Sequence, residues 1–376
     1  MARRSDLQIV LLTPPGRGAI AVLRVEGARA LATVEKNFQP QGGPPLGDRP
    51  LDRLVVGRFG PEPGEQVVVR RLSGEAIEIC AHGGHAAVAR IVDLLALGQD
   101  CVTAWQEWLA GQEDDPIRVA AAIALADAPT LRTAAILLDQ YHGALRRAIQ
   151  QTQAALQSGD LLTAGRLVAD MLSRADIGLH LVRPWRVVLA GPPNVGKSTL
   201  LNALLGYGRA ITHTQPGTTR DVVTATTAVD GWPIELADTA GLRATIDPLE
   251  QAGIALTRQQ LAAADLAILV FDVSEPWTPD LDRLAHDWPA ALVVFNKSDL
   301  VFAAEGGKPH HFSTGAAKGN GVQELIAAIS KRLVPLQPSQ GVSLPFTSHH
   351  ATQLTYISDA IAQNDARAAE SGLALL

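Results

Sequence analysis

The segment AGPPNVGKSTLLNALLG, Ala190 to Gly206, is the strongest structural signal in the chain. Gly191 to Ser198 fits G-x-x-x-x-G-K-[ST], and it lies between the apolar run WRVVLA and a helix-forming segment. At such a strand-to-helix turn, Gly191 and Gly196 let backbone N–H groups curl round phosphate oxygens, and the helix start beyond them adds positive potential. Lys197 is placed to reach the β- and γ-phosphates, Ser198 to ligate Mg²⁺, and Asn194 and Thr199 complete the loop. The chain holds six lysines against 26 arginines, yet this position keeps the compact ammonium that fits inside a phosphate loop.

Three further apolar runs, WPIELAD, LAILVFD and ALVVFN, follow with helical or loop segments between them, the pattern of a parallel sheet with crossover helices. Asp230-Gly231 suits a tight hairpin and makes one strand antiparallel in an otherwise parallel sheet. DTAG, Asp238 to Gly241, ends the second run; there a carboxylate can hold the metal through water and the Gly241 N–H can meet a γ-phosphate. NKSD, Asn296 to Asp299 with Lys297 inside it, ends the last run. Asp299 can accept from the N1–H and exocyclic amine of guanine, which adenine lacks, so the expected ligand is GTP. TQPGTTRD lies between phosphate loop and DTAG, and Thr219 is its candidate Mg²⁺ ligand. STGAAKGNG is expected to close over the base, with Ala316 or Ala317 offering a backbone N–H.

The body that carries these motifs is legible from composition. The 376 residues are 47% hydrophobic, enough for two or three domains with cores. No apolar run approaches a membrane span, no secretory signal stands out, and the two cysteines suit a reducing cytoplasm, the expected location. A net charge of −6 argues against nucleic-acid binding through bulk positive charge, so any RNA is recognised locally. Residues 1–115 alternate β-like runs with Gly/Pro punctuation and one apolar helix, an α+β pattern. Residues 116–182 are helical: Leu131, Leu138 and Leu145 recur every seven residues beside Ala135, Ile149 and Leu156, which predicts one apolar face on one of two long antiparallel helices. Residues 183–333 carry the nucleotide motifs, and 334–376 form a short helical tail. Cys80, His82 and His85, spread over a strand end and a Gly-Gly turn, are a poor zinc set.

GPPNVGKSTLLNAL, PGTTRD, DTAGLR and NKSD together resemble the bacterial Era-like GTPases. TPPGRGAIAVLRVEG and EICAHGGHAAVARIVDLLALG before them narrow the resemblance to the tRNA modification GTPases of the MnmE (TrmE) family. That resemblance implies an α/β P-loop GTPase domain inserted in a helical domain and preceded by a small α+β domain that dimerises and binds formyl-tetrahydrofolate. It implies a potassium-stimulated GTPase that modifies the wobble uridine of certain tRNAs with the partner MnmG. By position, Asn194 matches the asparagine that helps bind K⁺, and Glu250 the glutamate that orients the attacking water. Leu242 after DTAG cannot orient water, which agrees with a role for Glu250. Arg17 in PPGRG is open between a folate-site residue and a structural turn. The family's terminal C-I-G-K-type motif has no counterpart, and RPGEFTKRAFLNGK is reduced to something like TAWQEWLAGQ, Thr103 to Gln112. A GTPase switch that has lost the modification chemistry is therefore the alternative expectation.

Overall fold

The computed structural model describes residues 6–13, 18–207, 224–238, 258–300 and 312–376. The chain divides into two units, Met1–Val119 and Ala120–Leu376.

In the first unit the order is β1 (Gln8–Leu11), β2 (Ile20–Glu26), α1 (Ala30–Asn37), β3 (Phe38–Pro40), β4 (Leu54–Phe59), β5 (Glu65–Arg71), β6 (Ala76–His82), α2 (His85–Ala96), β7 (Val102–Thr103) and α3 (Trp105–Ala110). The strands form one sheet in the order β3-β4-β5-β6-β2-β1-β7, antiparallel throughout except for the parallel pair β1 and β7. Strict alternation of buried and exposed residues in β4 shows why the sheet has one dry face. Val55, Phe59, Val67, Val69, Ile77 and Ile79 point into the core, where α1 and α2 add Val34, Ile91 and Leu95. Each such aliphatic or aromatic side chain contributes about 1.5–3 kcal/mol on burial. β1, β2, β4, β5, β6 and α2 agree with the sequence expectation, whereas α1, β3, β7 and α3 had no signal in it.

After α4 (Pro116–Ala126), the second unit contains α5 (Leu131–Tyr141), α6 (Ala144–Gln157), α7 (Leu161–Leu172) and α8 (Ala175–Leu179). One continuous apolar face from Leu131 to Leu156 is not what forms. The helix breaks at Gly143, whose φ is +91°, so α5 and α6 do not share a face. Leu145, Ile149 and Leu156 are buried on α6, but Leu131 is 91% exposed and Leu138 also faces solvent. The buried side of α5 is Thr133, Leu137 and Gln140, spaced i, i+4, i+7. α6 and α7 pack together across the Ser158–Asp160 turn, the helix pair the sequence leads one to expect, and are completed by the last two helices, α12 (Ser348–Ala362) against α7 and α13 (Ala366–Leu373) against α12 and α6.

Between these helical parts lies the second sheet: β8 (Trp185–Ala190), α9 (Lys197–Tyr207), β9 (Thr224–Val229), β10 (Trp232–Asp238), β11 (Leu266–Asp272), α10 (Pro279–Asp287), β12 (Leu292–Asn296), β13 (Phe312–Ser313) and α11 (Val322–Leu333). Its order is β13-β12-β11-β8-β10-β9, parallel except for β9. Asp230 (φ +49°) and Gly231 (φ +77°) make the two-residue turn between β9 and β10, as Asp-Gly predicts. β8 and β11 are buried almost without interruption because helices cover both faces, so they read as apolar runs. The consequence for the site is geometric: β8, β10, β11 and β12 run the same way and end together, at Ala190, Asp238, Asp272 and Asn296.

Candidate nucleotide site

The loop from Gly191 to Gly196 leaves the end of β8 and feeds α9, whose first residue is Lys197. Two glycines are dictated by geometry. Gly191 has φ +146°, and a Cβ there would come within 2.1 Å of the Val270 carbonyl oxygen. Gly196 has φ +89°, and its Cβ would come within 2.4 Å of Asn296 Nδ2. Asn194 is also left-handed (φ +62°), the conformation that asparagine tolerates better than most residues, and it lies exposed on the loop.

Inside the loop, Lys197 is buried with its Nζ donating to the carbonyls of Gly191 at 3.0 Å and Pro192 at 2.7 Å. Beside it, Ser198 Oγ donates to Asp238 Oδ2 at 2.6 Å, and Asp238 is itself buried at the end of β10. A hydroxyl and a carboxylate, both hard oxygen ligands, therefore converge at the N-terminus of α9, which fits a Mg²⁺ ion. Thr199 follows, exposed on the first turn.

The second half of the site hangs on Asn296. Its Nδ2 donates to Val195 O at 3.0 Å and Gly196 O at 3.4 Å, tying the end of β12 to the phosphate loop. Its Oδ1 accepts from Ala316 N at 3.1 Å and Thr314 Oγ1 at 3.2 Å, tying the same strand end to the loop after β13. Asp299 lies three residues on, with Lys318 Nζ 3.7 Å from its Oδ2. Of the two alanines expected at the base, Ala316 directs its N–H to Asn296. Lys297, also left-handed at φ +64°, sends its Nζ to Asp272 Oδ2 at 2.6 Å. Burial alone would raise the Asp272 carboxyl, but Lys297 and two hydrogen bonds from Ser274 outweigh it and hold the group below the usual carboxylate range.

Gly191, Asn194, Gly196, Lys197, Ser198, Thr199, Asp238, Asn296, Lys297, Asp299, Ala316 and Ala317 thus gather at one end of one sheet. Arg17, Thr219, Gly241 and Glu250 lie outside the described residues. Sequence reasoning missed Asp272, Ser274 and Thr314. The first two had a readable signal, an apolar strand ending in Asp with Ser two residues later, the spacing of a side-chain turn.

The family model for the 50S ribosome-binding GTPases matches residues 186–297, from β8 to the lysine of NKSD. Over longer spans the chain is similar to proteins named tRNA modification GTPase MnmE. That of Synechococcus sp. is 31% identical across 99% of this chain and 91% of the relative. Those of Syntrophotalea carbinolica and Nitratidesulfovibrio vulgaris are 32% and 33% identical, over 88% and 87% of this chain and 81% of each relative.

Proposed function

The chain belongs to the MnmE family of tRNA modification GTPases, and from that premise we propose that it binds GTP with Mg²⁺ at the end of the second sheet, hydrolyses it, and serves modification of the wobble uridine of tRNA. The observation that carries this reading is the approach of Ser198 Oγ to Asp238 Oδ2 at 2.6 Å, next to a buried Lys197. Lys197 exchanges its two loop carbonyls for phosphate oxygens, and the loop N–H groups and the start of α9 supply the rest of the positive field. Ser198 and Thr219 hold Mg²⁺, with Asp238 behind them and the Gly241 N–H at the γ-phosphate. Asp299 reads the guanine edge, and Ala317, whose neighbour uses its N–H on Asn296, offers the remaining N–H to the base carbonyl. Mg²⁺ when bound neutralises the charge that develops on the transferred phosphoryl group.

Hydrolysis is assigned to Glu250, which orients water, and to a K⁺ ion held through Asn194. The exposed, left-handed Asn194 is compatible with a ligand approaching from outside the loop. The domains follow the limits 1–115, 116–182, 183–333 and 334–376, with the GTPase domain inserted between two parts of a helical domain; the packing of α12 on α7 and of α13 on α6 supports this. A homodimer through the N-terminal domain belongs to the same proposal. Arg17 belongs to a formyl-tetrahydrofolate site in that domain, and MnmG and tRNA are the macromolecular partners. Among the described residues, no helix is long and apolar enough to cross a membrane, and the proposed location is the cytoplasm. Relatives named for tRNA modification, matched over most of their length, favour this enzyme over a switch that has lost the chemistry.

The test pairs a GTPase assay in potassium and in sodium with mass spectrometry of wobble uridine from a deletion strain. Faster turnover in potassium, a Glu250→Ala variant that keeps nucleotide affinity but loses turnover, and loss of the modified uridine are expected. Equal rates in both salts with a fully active Glu250→Ala would remove the hydrolytic assignment. Unchanged uridine in the deletion strain would remove the tRNA role.

A further inference from the structure

The turn between β9 and β10 is gripped from outside its own sheet. Its two residues, Asp230 and Gly231, lie at the far end of the hairpin from the nucleotide site: β10 runs from Trp232 beside the turn to Asp238 beside Ser198, about 20 Å at the rise of an extended strand. Thr130, the N-cap of α5, donates its hydroxyl to Gly231 O at 2.6 Å while accepting from Thr133 N at 3.2 Å. Arg132 lies so close to Gly231 that a Cβ on the glycine would stand 3.1 Å from its Cβ and Nε. Its Nη1 reaches Asp230 Oδ2 at 3.4 Å and Gln337 Oε1 at 2.8 Å, and its guanidinium lies 5.5 Å from the centre of the Trp232 ring. Gln337 also accepts from Trp232 Nε1 at 3.3 Å, and Ser330 in the last turn of α11 donates to Asp230 Oδ2 at 3.3 Å.

The Arg132–Asp230 pair, 37% and 55% exposed, is weak by itself. The grip comes from the set: α5 precedes the second sheet in the chain, Gln337 follows it, and both close on one turn. The hairpin keeps one register over six residue pairs and its strands cannot stretch, so the turn and Asp238 do not shift along the strand independently. In chain order TQPGTTRD leads into β9 and DTAG begins at the last residue of β10, so both segments assigned to Mg²⁺ and the γ-phosphate are joined to this hairpin.

We propose that this clasp passes nucleotide state from the hairpin to the helical part of the chain, with Thr130 and Arg132 as positioning residues whose hold on the turn differs in strength between the GTP-bound and GDP-bound protein. This rests on the reading of the site as a GTP site. A contact biases an equilibrium only where it is worth more in one state than in the other, and the bias is reciprocal. A tie that merely stabilised the turn would contribute equally to both complexes and cancel from the ratio of their affinities.

The experiment is calorimetric titration of GDP and of a non-hydrolysable GTP analogue into the full chain, with amide hydrogen exchange of each complex and the melting temperature of each free protein, for wild type, Thr130→Ser, Thr130→Asp, Arg132→Met and Asp230→Asn. Thr130→Asp keeps a cap for α5 but has no proton to give Gly231 O, so it opens the clasp without uncapping the helix. Asp230→Asn keeps a residue that tolerates positive φ and decides the matter if Arg132→Met does not fold. In wild type, exchange in the first turns of α5 should differ between the two complexes by about threefold or more. Thr130→Asp, Arg132→Met and Asp230→Asn should each abolish that difference and move the ratio of the two dissociation constants in one common direction, by about threefold. Thr130→Ser, which keeps the hydroxyl, should behave as wild type. No difference at α5 in wild type, or an unchanged ratio in folded variants with lowered melting temperatures, would overturn the proposal and leave the clasp a structural tie. Failure of the wild type to bind either nucleotide would instead overturn the nucleotide reading on which it rests.

Discussion

The two sheets of this molecule treat charge in opposite ways. In the first unit, Thr33 is the one buried polar side chain among the described residues, and the charged groups Arg24, Glu26, Arg70 and Glu78 stand on the open face of the sheet. In the second, Lys197, Asp238 and Asp272 are buried at or beside strand ends, with Asn296 and Thr314 between them. Desolvating an ion costs several kcal/mol, which partners offset: Asp272 has the Lys297 ammonium, Lys197 donates to two backbone carbonyls, and Asp238 accepts from Ser198. A fold has no packing reason to bury three charges at one edge. Their concentration there marks where charge is used, while the partly exposed network of the first sheet marks a surface.

The sharpest attempt to break that contrast is Lys197→Ala. It removes the only buried cation among the described residues and leaves the Gly191 and Pro192 carbonyls without the ammonium. Nucleotide affinity should fall by about 100-fold or more, some 2.8 kcal/mol. Titration showing wild-type affinity would mean that the buried lysine is a structural tie.

Another buried titratable group lies away from both sheets, and it separates burial from function. His350 on α12 is 4% exposed, packs edge-on against Phe346 at 4.7 Å, and its Nδ1 has no partner. Burial, with a smaller contribution from His349, pushes its pKa down to about 4. The unfolded chain, with a histidine pKa of about 6.5, therefore takes up a proton that the folded chain refuses. This contribution is constant above pH 6.5 and turns against the fold as pH drops toward 4. Between pH 7 and pH 5 it should lower stability by about 2 kcal/mol, and urea unfolding of wild type against His350→Gln should show that difference. Identical pH dependence in the two would mean that the imidazole is not kept neutral by its surroundings.

Asp299→Asn acts at the base instead of the phosphates. The amide replaces one of the two acceptor positions with a donor, so guanine loses a hydrogen bond and meets a like dipole. GTP binding should weaken by at least about tenfold, or about 1.4 kcal/mol, with ATP binding left as weak as before. Unchanged affinity would take guanine recognition away from that residue.

Legibility in the sequence followed the same divide between local and distant causes. The phosphate loop, Asp238, Asn296 and Asp299 could be read because each sits at or just beyond the end of an apolar strand, and a parallel sheet brings strand ends together without further information. The face of α5 could not. Leu131 and Leu138 have the right spacing for a core, yet the buried side carries Gln140, whose side chain donates to Val342 O at 2.9 Å and accepts from Leu344 N at 3.2 Å. Partners some two hundred residues away override a local apolar pattern. Asp272 was passed over because its partner, Lys297, lies just beyond the end of the neighbouring strand.

The smallest effect is expected on the first sheet, and it tests the other half of the contrast. Glu78 accepts from Arg24 Nη1 at 2.7 Å and Arg70 Nη2 at 2.6 Å, and Arg24 continues to Glu26 at 2.9 Å. Glu26 accepts from Trp108 Nε1 at 3.0 Å, and the Arg24 guanidinium lies 5.8 Å from the centre of the Trp108 ring. The chain of contacts crosses the open face but stays in reach of water, which screens each pair and leaves each ion solvated when its partner is removed. Glu78→Gln keeps the shape and part of the hydrogen bonding, so the melting temperature should fall by no more than about 5 °C, and less in high salt. GDP affinity should not change. A larger drop that salt does not reduce would mean that this network is as shielded as the strand ends of the second sheet, and buried charge would then cease to distinguish the nucleotide site from the rest of the molecule.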